Sequence, residues 1–183
     1  SLTLKEGEEM TSAAKSRQLV NQVGYHNQFI GTFRELKRLL KTGILGELFH
    51  FTGEAYGPVV VKEKGGTWRS DPAEGGGCLF DYASHVINLV QEVMGKPVKA
   101  RGTMLKKIYS KEVEDAVFSM LTLESGLTGV LQVNWSDETF RKMSTSLTIQ
   151  GKKGKIICDA TEIKIYLKER NEKENLDKGW TIK

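Results

Sequence analysis

The apolar residues of this chain change their period along its length. In FRELKRLL (33–40), Phe33, Leu36, Leu39 and Leu40 share one face with Lys and Arg opposite, and Gly43 follows as a stop. That spacing predicts an amphipathic helix. Between 79 and 93, Leu79, Tyr82, Val86, Leu89, Val90 and Val93 recur at the same period ahead of Gly95 and Pro97, which predicts a second helix. Its entrance is a run of three glycines, 75–77. Near the start, Thr3 and Glu6 form a T-x-x-E capping box, and a helix is expected through GEEMTSAAKSRQ.

Elsewhere the pattern is that of strands. LVNQVGY is short and β-favouring, and ELFHFTGEAYG alternates, so each predicts a strand. After residue 97 come VKARGTMLKKIYS, DAVFSMLTLES, TGVLQVNWSD, MSTSLTIQGKKG, KIICDA and EIKIYLKE, strand-like runs separated by turn signals. ESGLTG and QGKKGK suit hairpin turns, so several of these runs are expected to pair as an antiparallel meander. Residues 58–75, rich in Gly, Lys, Pro and Glu, read as a surface loop with Trp68 as its one large apolar side chain. The order implies an α+β fold, a large, mostly antiparallel open sheet with helices packed on one face.

Composition narrows the function classes. The 183 residues are 39% hydrophobic and 27% charged, with a formal net charge of +4. The basic residues are spread evenly, with no aromatic-interleaved stripe, which argues against a nucleic-acid partner. No apolar run approaches the ~18 residues of a membrane span, so no membrane partner is expected. Cys78 and Cys158 lie far apart within apolar stretches. Buried free thiols in a reducing cytoplasm are the simplest reading, and the expected location is cytoplasmic. The chain opens on Ser rather than Met and lacks a signal-peptide layout, as a trimmed or tagged protein would.

Asp81 and His85 are four residues apart, on one face of the expected helix. Imidazole titrates near neutrality, and a carboxylate beside it can fix its tautomer and raise its pKa, which suits proton transfer on a hydroxyl or carbonyl. The same spacing fits a capping Asp with an unrelated His packed nearby. Half of a metal site is a further reading, but His26 and His50 have no ligand-like neighbours in sequence, and no metal is expected. GGGCLF lacks the spacing of a dinucleotide fingerprint and follows no strand. In GGTWRSD (65–71), Trp68 and Arg69 suit stacking on, and hydrogen bonding to, a sugar or anion, or serve to cover the core. Tyr25, His26 and Asn27 close an expected strand.

Taken in order, VGYHNQF, LKTGILGEL, TWR, GGGCLFDYASHVINL, VEDAVFSMLTLESGLTGVLQVNWS and LTIQGKKGKI resemble the Gfo/Idh/MocA family of nicotinamide-dependent oxidoreductases, over almost the whole chain. The resemblance implies a dihydrodipicolinate-reductase-like C-terminal domain that supplies the substrate wall. It places residues 1–24 as the last helix and strand of a Rossmann domain, and residues 25–183 as the substrate-binding and oligomerisation domain, cut at its C-terminus. The family's glycine-rich nucleotide loop and Glu-Lys-Pro signature lysine have no match in this chain.

By the same resemblance, His85 takes the proton of a substrate hydroxyl and Asp81 binds that hydroxyl or orients the imidazole. Trp68, Arg69, Tyr25, Asn27 and Asn88 contact substrate, a sugar, nucleotide-sugar or polyol. Gln28 stands where the family commonly has arginine. The implied cofactor is NAD or NADP in a full-length parent, with none bound by these residues alone and the fragment inactive. The implied assembly is a homo-oligomer through the open sheet face, where Val117, Val130, Val133, Leu147 and Ile149 would serve equally as internal core. The alternative is a non-catalytic carbohydrate-binding or oligomerisation module.

Overall fold

A computed structural model describes residues 2–60 and 67–183. The part of the expected surface loop that falls on 61–66 lies outside the described residues.

Among the described residues, three α-helices form where the helical periods predict them: α1 (Leu4–Ser16), α2 (Gly31–Lys41) and α3 (Ser84–Met94). In α1 the capping box closes as expected. Glu6 N–H donates to Thr3 Oγ1 at 3.2 Å, and Glu6 Oε2 accepts from the N–H groups of Thr3 and Leu2. The helix nevertheless buries no residue. By contrast α2 buries Phe33, Leu36 and Leu39, each worth about 1.5–3 kcal/mol of apolar burial. It ends where Gly43 turns left-handed at φ +72°.

LVNQVGY does not form the strand expected of it; residues 19–25 are irregular. A strand needs a neighbour to take its backbone groups, and the described sheet offers this segment none. Tyr25, His26 and Asn27 accordingly lead into a short 3₁₀ turn, His26–Phe29, rather than closing a strand.

Among the described residues, eight strands make one open sheet: β1 (Leu48–Tyr56), β2 (Pro97–Lys106), β3 (Ala116–Leu123), β4 (Thr128–Asn134), β5 (Ser144–Gly151), β6 (Gly154–Asp159), β7 (Ile163–Leu167) and β8 (Gly179–Ile182). The spatial order is β2-β3-β4-β1-β5-β6-β7-β8. All neighbours are antiparallel except β1 and β4. The late strands are thus two meanders joined by the early strand β1, rather than one continuous run. The four-residue β8 lies at the sheet edge, too short for a periodic signal.

Alternation decides which face is core. Val117, Val133, Leu147 and Ile149 are buried among the core side chains, with Phe51 and Ala55 of β1 between them. Val130 falls on the opposite register and stays partly exposed. The helix α3 can lie down on β1 because Gly53 has no side chain: a Cβ there would stand 2.7 Å from Val86 Cγ1. This close seating sets the height of the α3 N-terminus above the sheet.

Candidate active site

The three glycines enter the site, and every amide from Gly75 to Leu79 is already used within the protein. Gly75 donates to Pro72 O (3.3 Å), Gly76 to Asp71 O (2.8 Å), Gly77 to Arg69 O (3.1 Å) and Cys78 to Glu114 O (3.1 Å). Leu79 N–H donates to Glu114 Oε1 at 2.9 Å. A phosphate cradle needs free amides pointing at the anion. Here carbonyls and a carboxylate fill that role, so the segment is a hinge and not a cradle.

Glycine is required at the hinge. Gly77 sits at φ +103°, and a Cβ there would meet the Glu114 carboxylate. A Cβ on Gly76 would meet the carbonyls of Arg69 and Asp71. Beyond the hinge the backbone departs from the regular helix implied by the periodicity. Leu79–Ala83 form one π-helical turn, LFDYA, before α3 begins at Ser84. Such wide turns are uncommon and recur at functional positions. This one carries Asp81 and leads directly into His85. Beneath it Tyr82 meets Trp135 edge-on, ring centroids 6.0 Å apart, with its hydroxyl against Gly57.

The Asp81 carboxylate turns to Arg69, whose Nε donates to Oδ2 at 3.0 Å. The Arg69 guanidinium lies over the Trp68 ring, 4.6 Å from its centroid. Arg69 therefore holds the hinge twice, by its carbonyl at Gly77 and by its side chain at Asp81. Trp68 is 43% exposed, which leaves a face open to a ligand.

His85 is half-buried, and its Nδ1 is buried without a hydrogen-bond partner among the described residues. Tyr25 meets it edge-on at 5.4 Å between centroids, and His26 at 5.5 Å. Burial and the neighbouring His26 hold the imidazole below its ordinary range, against the opposing pull of Asp81. Asp81 does pull the imidazole upward as expected, but burial first and His26 second outweigh it, which accounts for the reversed direction. Asn88, one turn along α3, also leaves a buried Oδ1 without a partner. Two orphaned polar atoms on successive turns of one helix are what a hydroxyl-bearing ligand would complete.

Of the remaining site candidates, Asn27 is buried, and its amide nitrogen donates to Thr145 Oγ1 of β5 at 3.3 Å. Gln28 donates back to the Tyr25 carbonyl at 3.1 Å and shapes the turn that carries Tyr25 and His26. Among the described residues, no group of three or more His, Cys, Asp or Glu is placed to hold a metal ion. Both cysteines are buried free thiols, and burial pushes Cys158 up to about 12.

Sequence reasoning did not single out Glu114 or the nearness of His26 to His85. The signal for Glu114 is the acidic pair Glu114-Asp115 opening an apolar run, an unusual place for two charges. Nothing in the spacing of residues 26 and 85 indicates that their rings meet.

The comparisons with known proteins agree with this architecture. The GFO/IDH/MocA C-terminal domain matches residues 33–157, and the chain belongs to that family. An uncharacterized oxidoreductase of Schizosaccharomyces pombe, C115.03, is 27% identical over 115 residues, 62% of this chain and 31% of its own length. The scyllo-inositol 2-dehydrogenase (NADP(+)) IolW of Bacillus subtilis is 25% identical over 126 residues, 68% of this chain and 34% of its own. In fold, the chain is similar to levoglucosan dehydrogenase in complex with NADH and levoglucosan. The TM-score is 0.84 and identity 19%, over 98% of this chain and 51% of that one. The WlbA dehydrogenase of Bordetella pertussis, in complex with NADH and UDP-GlcNAcA, gives a TM-score of 0.81 at 19% identity, over 96% and 52%. The chain thus spans about a third of these curated relatives and about half of these solved structures. No helix among the described residues is long and apolar enough to cross a membrane.

Proposed function

We propose that these residues form the substrate-binding and acid/base half of an NAD(P)-dependent oxidoreductase acting on the hydroxyl or carbonyl of a sugar, nucleotide-sugar or polyol. The observation that carries the reading is the pair of buried, unpartnered atoms, His85 Nδ1 and Asn88 Oδ1, beside Asp81 at the mouth of α3. In oxidation, His85 accepts the hydroxyl proton, which its neutral form at physiological pH allows. The free oxygen of Asp81 and the Asn88 amide fix the sugar hydroxyls, and Trp68 presents an aromatic face to the ring. Tyr25 packs edge-on against His85 and holds the imidazole plane. The chemistry that a bound nicotinamide would supply is acceptance of hydride from the carbon bearing that hydroxyl. The residues present do not fit its diphosphate, because the glycine amides of 75–77 are all spent on carbonyls. In this reading NAD(P) is held by residues other than 1–183.

A second copy of the chain is the proposed partner. The outward sheet face carries exposed Phe49, Met104, Met120 and Trp180, with a polar patch in which Tyr56 and Ser146 donate to Glu54. Sedimentation should then show a dimer or larger assembly.

The functional reading is tested by NMR titration of the chain with myo-inositol, glucose and a UDP-sugar. Shifts centred on His85, Asn88 and Trp68 are expected with one of them, and no tight binding of NADH or NADPH. Submillimolar dinucleotide affinity contradicts the division of labour. Sugar binding at these residues by a complete protein that lacks dehydrogenase activity would favour the non-catalytic module.

A further inference from the structure

We infer that His26 is the electrostatic partner of His85: the two rings pack together, so a positive charge on one opposes a positive charge on the other, and this biases His85 toward its neutral, proton-accepting form. The inference rests on the acid/base role proposed for His85. Their ring centroids lie 5.5 Å apart at an interplanar angle of 61°. His26 is exposed and His85 half-buried. A proton on the exposed ring therefore opposes a second on the buried one, where water screens less.

The other groups packed around His85 do not remove this opposition. The 3₁₀ turn offers Tyr25 and His26, the latter the one basic side chain of that turn. Its own segment offers Asp81, whose charge is shared with Arg69. The sheet strands packed on α3 include β1 and β5, whose buried Phe51, Gly53, Ala55, Thr145 and Leu147 are not ionisable near neutrality. The helix α2 also packs on α3, its Lys37 paired at 3.1 Å with Glu92, two turns beyond His85. After burial, His26 is the larger charge effect on the His85 imidazole and acts in the same direction. His26 is thus a positioning residue in the electrostatic sense: it touches the proton acceptor and biases its state.

The test is a ¹⁵N NMR titration of the imidazoles in the 183-residue chain, which has three histidines and so resolves each. In His26→Asn the titration midpoint of His85 is expected to move to higher pH, and in His50→Asn to stay where it was. His26→Phe keeps an aromatic edge without a charge and is expected to raise the midpoint as Asn does. An unmoved His85 midpoint in His26→Asn overturns the inference, and so does a rise with Asn that Phe abolishes, since ring packing would then account for it. The readout needs no substrate. Loss of the catalytic reading through an active His85→Ala enzyme would leave this coupling standing, and loss of the coupling would leave that assay unchanged.

Discussion

Two aspartates of this domain are treated in opposite ways. Asp115, at the start of the β3 region, is fully buried, and its Oδ2 accepts N–H bonds from Ile108 (2.7 Å), Tyr109 (2.6 Å) and Ser110 (3.0 Å). Burial pushes its carboxyl up, but the Ser110, Tyr109 and Ile108 hydrogen bonds outweigh it and hold the group below the ordinary range. Asp81, on the π-turn, has one side-chain partner among the described residues, the partly exposed Arg69. The first carboxylate closes a loop through one oxygen, Oδ2, while its Oδ1 is buried without a partner among the described residues. The second is held in place and remains available. What separates the two acids is the partner: three backbone amides of one loop at Asp115, and one partly exposed guanidinium at Asp81.

The contrast between the two aspartates sets graded expectations. Asp115→Ala removes a fully buried carboxylate and the acceptor of three backbone amides, and is expected to cost about 3 kcal/mol in urea unfolding. Gly77→Ala forces a left-handed backbone onto a Cβ that meets Glu114, and is expected to cost about 1–3 kcal/mol while weakening substrate binding. Asp81→Asn should change stability by about 1 kcal/mol or less, because its partner is partly exposed, yet should impair substrate binding. Equal unfolding costs for Asp115→Ala and Asp81→Asn would erase the distinction. Smallest of all, Thr3→Ala should lower helicity by circular dichroism and barely move global unfolding, since α1 buries nothing.

The pH dependence of stability sharpens the same contrast. Asp115 is lowered in the folded protein, so its contribution is present above the unfolded carboxyl value of about 3.9 and is lost as pH falls through the folded one. His85 is also lowered, so the folded state resists its protonation and stability declines as pH falls below about 6.5. Unfolding free energies measured between pH 7 and 5 should lose that decline in His85→Asn and keep it in Asp115→Asn.

Much of the fold was legible because periodicity reports burial directly. The stripe Phe33, Leu36, Leu39 and the alternation of Leu147 and Ile149 each predict the face that is buried. Sheet order was not legible: β1 pairs in parallel with β4, a contact set by the long-range packing of Phe51 against Gly129 rather than by any turn. LVNQVGY has strand propensity but no neighbour, and propensity without a partner does not make a strand. At the site, Asp81 and His85 were visible by spacing. The π-turn between them depends on Glu114, 35 residues from Leu79 in sequence, gripping the Leu79 N–H. The direction of the His85 shift was also hidden, because burial and His26 set it, and the spacing of Asp81 and His85 reports neither.

The central claim is that His85 accepts the substrate proton. The most direct test is the pH–rate profile of the complete oxidoreductase with His85→Ala. The account predicts a fall in kcat of about 10²–10⁴-fold, with loss of the acidic limb and a smaller change in KM. Turnover that survives the substitution with its pH profile unchanged would contradict it.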